Sequence, residues 1–241
     1  EGGCLARICA GSMNAHAVRV LHAEGLVGAE FLALVPGQFG GAVVMNAGTR
    51  WGELSEILVE VRLATVEGEI VDVPVSNLAP SYRHGGVPPG AVVLSGTVRV
   101  EPGDADAARQ KVRQEKLYRS QTQPYRLNTS GSIFANPPGD AAGRLIEAAG
   151  VKGLRWGGVE VSSVHANWIV NWSGGTALEV VQMMAFVRRC VCSHADVTLR
   201  PEVRLMGFSG LADSAGVGAF LDGMKLPARL QDLYLAHKES R

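Results

Sequence analysis

Residues 128–137 read Asn-Thr-Ser-Gly-Ser-Ile-Phe-Ala-Asn-Pro, and the glycine is the informative letter. Standing directly before Ser132, Gly131 lets the backbone bend where a side chain would forbid it, and lets a ligand come close to the hydroxyl. The stretch predicts a presented serine. Alone, such a cluster of Asn, Ser, Gly and Pro also reads as a surface turn. Its companions decide between the two. Upstream stand Pro36-Gly37-Gln38-Phe39-Gly40-Gly41-Ala42-Val43-Val44-Met45-Asn46-Ala47-Gly48 and Tyr82-Arg83-His84-Gly85. Downstream stand Ala142-Gly143-Arg144-Leu145-Ile146-Glu147, Gly157-Gly158-Val159-Glu160-Val161-Ser162, His165-Ala166-Asn167 and Leu199-Arg200-Pro201-Glu202-Val203-Arg204.

In this order and at these spacings the motifs resemble the UDP-N-acetylenolpyruvoylglucosamine reductase family, flavoenzymes that make UDP-N-acetylmuramate for bacterial peptidoglycan. The resemblance runs from about residue 8 to residue 207. It implies an α+β chain: the second half of a two-part FAD-binding domain, followed by a smaller mixed α/β substrate-binding domain. The implied reaction takes a hydride from NADPH through FAD to the alkene of UDP-N-acetylglucosamine enolpyruvate, after which the carbanion is protonated. The chemistry needs a cation for the carboxylate and the developing enolate, a proton donor, and exclusion of water.

On the resemblance, Ser132 matches the proton donor. A hydroxyl is a weak acid, but a carbanion is a strong base. Arg83 matches an arginine whose planar fork binds a carboxylate by two hydrogen bonds and stays cationic. Glu202 matches a glutamate that acts with arginine on the enolic intermediate. Tyr82, Asn136 and Lys152 match substrate-binding positions, the last two at the uridine diphosphate. Pro36, Gly37, Gly40, Gly41, Asn46, Ala47 and Gly48 match the loop facing the flavin ring, with Asn46 as its hydrogen-bonding group. His165 and Asn167 read as structural ties to backbone. Taken singly, an arginine or a glutamate is ordinarily a solvated surface residue; three coincident matches point the other way.

There are departures from the family pattern. Ala135 replaces a lysine common before the Asn-Pro pair, Gly85 replaces a serine, and Gln38-Phe39 replaces a Thr-Val pair. The short connection between Arg83 and the Val92 strand lacks the inserted loop with a substrate-binding tyrosine, as in one branch of the family. Family members normally begin with a Gly-Gly-Ser-Asn loop that cradles the FAD pyrophosphate, and nothing in residues 1–11 resembles it. The expectation is an N-terminally incomplete member that binds flavin weakly by itself.

Composition describes an ordinary soluble globular protein. The 241 residues are 46% hydrophobic and 19% charged, with Lys plus Arg and Asp plus Glu equal at 23. That balance gives no global basic excess to draw nucleic acid or an anionic membrane, and no apolar run approaches a bilayer span. Four cysteines show no disulfide framework, so a reduced cytoplasmic setting is expected. Cys190, Cys192 and His194 do not form a metal set, because helical residues two apart point to nearly opposite faces.

The local signals predict a strand at 5–10, a helix at 15–24 stopped by Gly25, and a β-hairpin over 56–73 turning at Glu67-Gly68. Residues 35–48 read as a glycine-rich loop. A strand at 91–100 precedes a polar helix at 105–119, and the composition shift sets domains at 1–104 and 105–207, with an extra C-terminal tail at 208–241. In the second domain a helix at 141–149, a strand at 166–172 and a strand at 197–206 are expected. Thr176 and Glu179 have capping-box spacing before a helix whose Val180, Met184, Val187 and Val191 share a face. The alternative to the reductase is a non-catalytic nucleotide-sugar-binding remnant lacking FAD; a different flavin oxidase would explain the glycines but not Ser132, Arg83 and Glu202 together.

Overall fold

Alternating and β-branched residues dominate Leu58–Ala64 and Ile70–Pro74, and the two segments pair as an antiparallel hairpin. At its turn Gly68 takes φ 87°, a left-handed conformation glycine enters without steric cost. In the computed structural model, which describes residues 3–207 and 214–239, this hairpin belongs to the first of two units, Glu1–Tyr118 and Arg119–Arg241.

The first unit is built on a five-stranded antiparallel sheet. Its strands are β1 (Cys4–Cys9), β2 (Leu26–Val27), β5 (Leu58–Ala64), β6 (Ile70–Pro74) and β7 (Val92–Pro102), in the order β1-β7-β5-β6 with β2 also on β7. A separate ribbon pairs β3 (Gly48–Thr49) with β4 (Gly52–Glu53). Buried Leu58, Val61 and Leu63 are spaced by three and then two because the register shifts between Leu58 and Glu60. Helices α1 (Asn14–Ala23), α2 (Phe39–Val44) and α3 (Val75–Leu78) accompany the sheet, with Val18, Leu21, Phe39 and Val43 in the core.

Helix α2 corrects the expectation of a loop at 35–48. Phe39, Ala42 and Val43 recur at helical spacing and are buried, so the apolar stripe outweighs the poor propensity of Gly40 and Gly41. Helix α4 (Ala105–Thr122) starts where the composition shifts, but the division between the units falls inside it. Its first turns are bound to the first unit: Arg109 Nη2 donates to the His22 carbonyl at 2.7 Å, and buried Glu115 pairs with Arg50.

The second unit has a four-stranded antiparallel sheet ordered β8-β11-β10-β9, from β8 (Asn128–Ser132), β9 (Arg155–Trp156), β10 (Val159–Val161) and β11 (Trp168–Asn171). Helices α5 (Ala142–Ala148) and α6 (Ala177–Ala195) share its core through Leu145, Ile146, Met183, Met184 and Phe186. The expected capping box forms: Thr176 Oγ1 accepts from the Glu179 N–H at 3.2 Å, and the Glu179 carboxylate accepts from the Thr176 N–H at 2.7 Å. Beyond Gly207, residues 208–213 of the expected tail lie outside the described residues. Its remainder holds α7 (Ser214–Gly223) and α8 (Ala228–Glu239), which insert Val217, Leu221 and Leu230 into the same core.

The expected strand at 197–206 is not formed. Only an isolated bridge joins Phe134 and Pro201, with the Ala135 N–H donating to the Arg200 carbonyl at 2.9 Å and the Glu202 N–H to the Ile133 carbonyl at 2.8 Å. The Ile133 N–H, which would return a bond to Glu202 in a continued ladder, donates instead to the Asn167 carbonyl at 3.0 Å, which explains why β-branched composition fails to give a strand here.

Candidate active site

In the first unit the motif residues gather at the end of α2 and the turn that faces it. The turn closes with Ser81 and His84 exchanging backbone hydrogen bonds at 2.8 and 2.9 Å, and Arg83 sits inside it at φ 60°. A non-glycine residue held left-handed costs about 1–3 kcal/mol and clusters at functional sites. The Arg83 guanidinium lies over the Tyr82 ring, 4.5 Å from its centroid, and Nη2 donates to the Gly48 carbonyl at 3.5 Å. Arg83 and Tyr82 are thus delivered as one stacked pair.

Asn46 departs from the sequence reading. It is buried at φ 42°; its Nδ2 donates to Glu53 Oε1 at 3.0 Å and to the Ser81 carbonyl at 3.1 Å, while Oδ1 accepts from the Ser55 N–H at 2.8 Å. An asparagine amide has two hydrogens, and both are spent inside the protein. Asn46 pins the turn at 81–84 to the end of α2 rather than offering its amide to a ring. Gly85 completes the contact: its N–H donates to the Val44 carbonyl at 2.9 Å, and a Cβ there would lie 1.8 Å from the Val43 oxygen. The family's usual serine has no room at that backbone.

The flavin-loop glycines divide in two. A Cβ at Gly40 would come within 2.9 Å of Ala10 Cβ, and one at Gly48 within 2.6 Å of Glu53 Cβ, so packing within the protein requires both. Gly37, at φ 100°, and Gly41 have no heavy atom within 4 Å of such a Cβ. With exposed Pro36, they leave backbone uncovered by neighbouring side chains.

In the second unit β8 and β11 pair Thr129 with Val170 and Ser132 with Trp168, leaving Ser130 and Gly131 opposite Ile169 alone. This bulge, with Gly131 at φ 85°, turns Ser132 onto the face of Trp168 and Val170. Trp168 is a neighbour that the motifs did not single out, and its buried indole N–H has no hydrogen-bond partner among the described residues. Just beyond the serine, buried Asn167 clamps Phe134 at both ends: Oδ1 accepts from its N–H at 3.0 Å and Nδ2 donates to its carbonyl at 2.8 Å. The structural reading of Asn167 holds.

Glu202 is brought to the same edge by its hydrogen bond to Ile133, the residue after Ser132. Exposed Asn136 uses Oδ1 to accept the Ala142 N–H at 3.0 Å, which fixes the start of α5. Lys152 Nζ pairs with Glu147 Oε1 at 2.9 Å. Burial holds the His165 imidazole below its usual pKa, and the Lys152 charge adds to this; its Nδ1 accepts from the Asn167 N–H at 3.2 Å. A cleft of about 450 Å³ opens beside Ile169, Asn171 and Val180. Ile169 and Asn171 lie on the sheet face opposite to that of Ser132, and Ser132 is not among the residues lining this cleft.

The comparisons with known proteins agree with the motifs. Residues 123–206 match a family model described as the C-terminal domain of UDP-N-acetylenolpyruvoylglucosamine reductase. The chain is 45% identical over 214 residues to the UDP-N-acetylenolpyruvoylglucosamine reductase of Anaeromyxobacter dehalogenans (strain 2CP-C), covering 85% of this chain and 65% of that protein. It is 41% identical over 237 residues to the protein of that name from Anaeromyxobacter sp. (strain K), covering 94% of this chain and 71% of the relative. The crystal structure of UDP-N-acetylenolpyruvylglucosamine reductase from Thermus caldophilus superposes with a TM-score of 0.73 at 32% identity, over 82% of this chain and 71% of that one. The chain therefore spans about two thirds of the length of its relatives. By sequence and by fold it belongs to the UDP-N-acetylenolpyruvoylglucosamine reductase family.

Proposed function

We propose that this chain carries the ring-facing part of an FAD domain and the substrate domain of a reductase that converts UDP-N-acetylglucosamine enolpyruvate to UDP-N-acetylmuramate. The observation that carries this reading is the β8 bulge, which presents Ser132 beside the backbone bond that holds Glu202. Family membership supports the substrate; FAD and NADPH come with the family chemistry. Bound FAD supplies the hydride, taken from NADPH, that the enolpyruvyl alkene receives. Pro36, Gly37 and Gly41 are the residues whose open backbone fits its ring.

The chain's own groups handle charge and proton. Arg83, steered by its stack on Tyr82, holds the substrate carboxylate and stays cationic as the electron pair spreads into it. Ser132 Oγ–H gives the proton that completes the C–H bond, and Glu202 acts with arginine on the enolic intermediate. Lys152 contributes a point charge toward the diphosphate, and Asn136, whose oxygen is engaged, contributes its amide N–H. On this reading the protein works in the cytoplasm on a peptidoglycan precursor.

The test is Ser132→Ala in the full-length, flavin-loaded protein. NADPH should still bleach the flavin, while turnover of the enolpyruvyl substrate falls by roughly two orders of magnitude or more. Unchanged turnover would remove Ser132 from the mechanism.

A further inference from the structure

Arg188 is buried in the middle of α6, a helix whose other buried side chains include Val181, Met183, Met184, Phe186, Val187 and Val191. A buried guanidinium is tolerated only when its donors find acceptors. Here Nε donates to the Leu199 carbonyl at 2.8 Å, and Nη1 donates to the Gly218 carbonyl at 2.5 Å and to Asp222 Oδ1 at 2.7 Å. The adjacent Arg189 donates to the carbonyls of Asp222 and Met224. Two successive arginines of α6 thus reach α7 and the chain just after it.

The Leu199 carbonyl opens the segment that ends at Glu202. That segment has no ladder of its own. On one side it is held by the two backbone bonds to Ile133 and Ala135, and Pro201 between them donates nothing. Arg188 fixes its start through the Leu199 carbonyl. Its planar fork suits a junction where acceptors from two different elements converge at fixed directions, which a lysine cannot reproduce.

We infer that Arg188 is a positioning residue for Glu202, held in that role by Gly218 and Asp222 of α7. The C-terminal helices, which lie beyond the stretch matched by the family model, thereby bear on the catalytic edge. This rests on the reading of Glu202 as the residue that acts on the enolic intermediate.

Amide hydrogen exchange on the 241-residue chain tests the placement without any turnover. In Arg188→Met, exchange at the Ala135 and Glu202 amides should rise about tenfold or more while amides of β10 and β11 keep their protection. Unchanged exchange at those two amides, or a uniform rise across the unit, would overturn the inference. Should Arg188→Met fail to fold, Arg188→Lys and Asp222→Asn, which keep the buried cation, are read in the same way.

The full-length, flavin-loaded protein then separates the inference from the reading beneath it. Arg188→Lys should slow turnover about tenfold with Glu202 present, and less than twofold when Glu202→Gln is already in place. Losses that simply multiply would overturn positioning and leave Glu202 in the mechanism. A Glu202→Gln variant with native turnover would sink both. Where that background is too slow to measure, the exchange result decides.

Discussion

Replacing Asn167 by alanine should unfold the second unit more readily than any surface change, and the cost follows from two bonds. The side chain satisfies the N–H and the carbonyl of Phe134, itself fully buried two residues after Ser132. Truncation leaves a buried donor and a buried acceptor without partners, each worth about 1–3 kcal/mol, so the loss is about 2–6 kcal/mol. Against a total stability of about 5–15 kcal/mol this is a large fraction. Urea unfolding measures it, and the m-value should stay unchanged, because the folded state loses bonds rather than compactness. Asn167→Asp sharpens the assay: the carboxylate still accepts from the Phe134 N–H but presents a second oxygen to the Phe134 carbonyl. At neutral pH it should therefore be at least as unstable as the alanine variant. An Asn167→Ala cost below about 1 kcal/mol with the same m-value would refute the clamp, since that is less than one unmade bond.

Gly85→Ala should destabilise the first unit by about 2–5 kcal/mol, because the new Cβ must push α2 away and break the Gly85 to Val44 bond. Gly41→Ala, with open space around it, should leave urea stability level or raise it by up to about 1 kcal/mol; equal behaviour of the two variants contradicts the division of the glycines. Arg83→Lys keeps the charge but loses the fork, and should cost about 2–4 kcal/mol in transition-state stabilisation, read from the specificity constant with thermal stability recorded alongside. A native specificity constant returns Arg83 to the surface. For His165 the folded pKa lies below the unfolded value of 6.5, so the unfolded chain binds the proton first. Stability should be level above that pH and fall as pH drops through it toward the folded pKa, and His165→Gln should flatten this part of the profile. A variant with an unaltered pH profile assigns the loss to other groups.

What the sequence made legible was local. Turn and cap chemistry sits within four residues of itself, so Glu67-Gly68, Thr176 with Glu179 and the helix at 105–119 were readable without knowing any partner. Gly131 before Ser132 announced the bend correctly, although the bulge needed β11 opposite to define it. The misreadings share a cause. Residues 197–206 had strand composition but met residues 133–135, where the Ile133 N–H was already given to Asn167, and 35–48 had loop composition but met a core that rewarded Phe39, Ala42 and Val43. Asn46 looked like a donor awaiting a ligand until Glu53, Ser55 and Ser81 claimed it. Arg188 gave no signal, since one of two adjacent arginines in α6 declares its burial only when Leu199 and α7 arrive.

A sheet sorts its side chains by counting odd and even, and β8 miscounts once. Thr129 and Ser132 stand three residues apart yet share a face, a pairing that plain alternation forbids. The residues before the bulge therefore keep their own register on β11, and those after it set Ser132 on the face of Trp168 and lead into buried Ile133 and Phe134. Each half of the strand can drift in sequence under its own constraint, provided the one unpaired residue between them stays. Alignments that close this position as a gap would send the serine to the wrong side of the sheet while every flanking residue still matched.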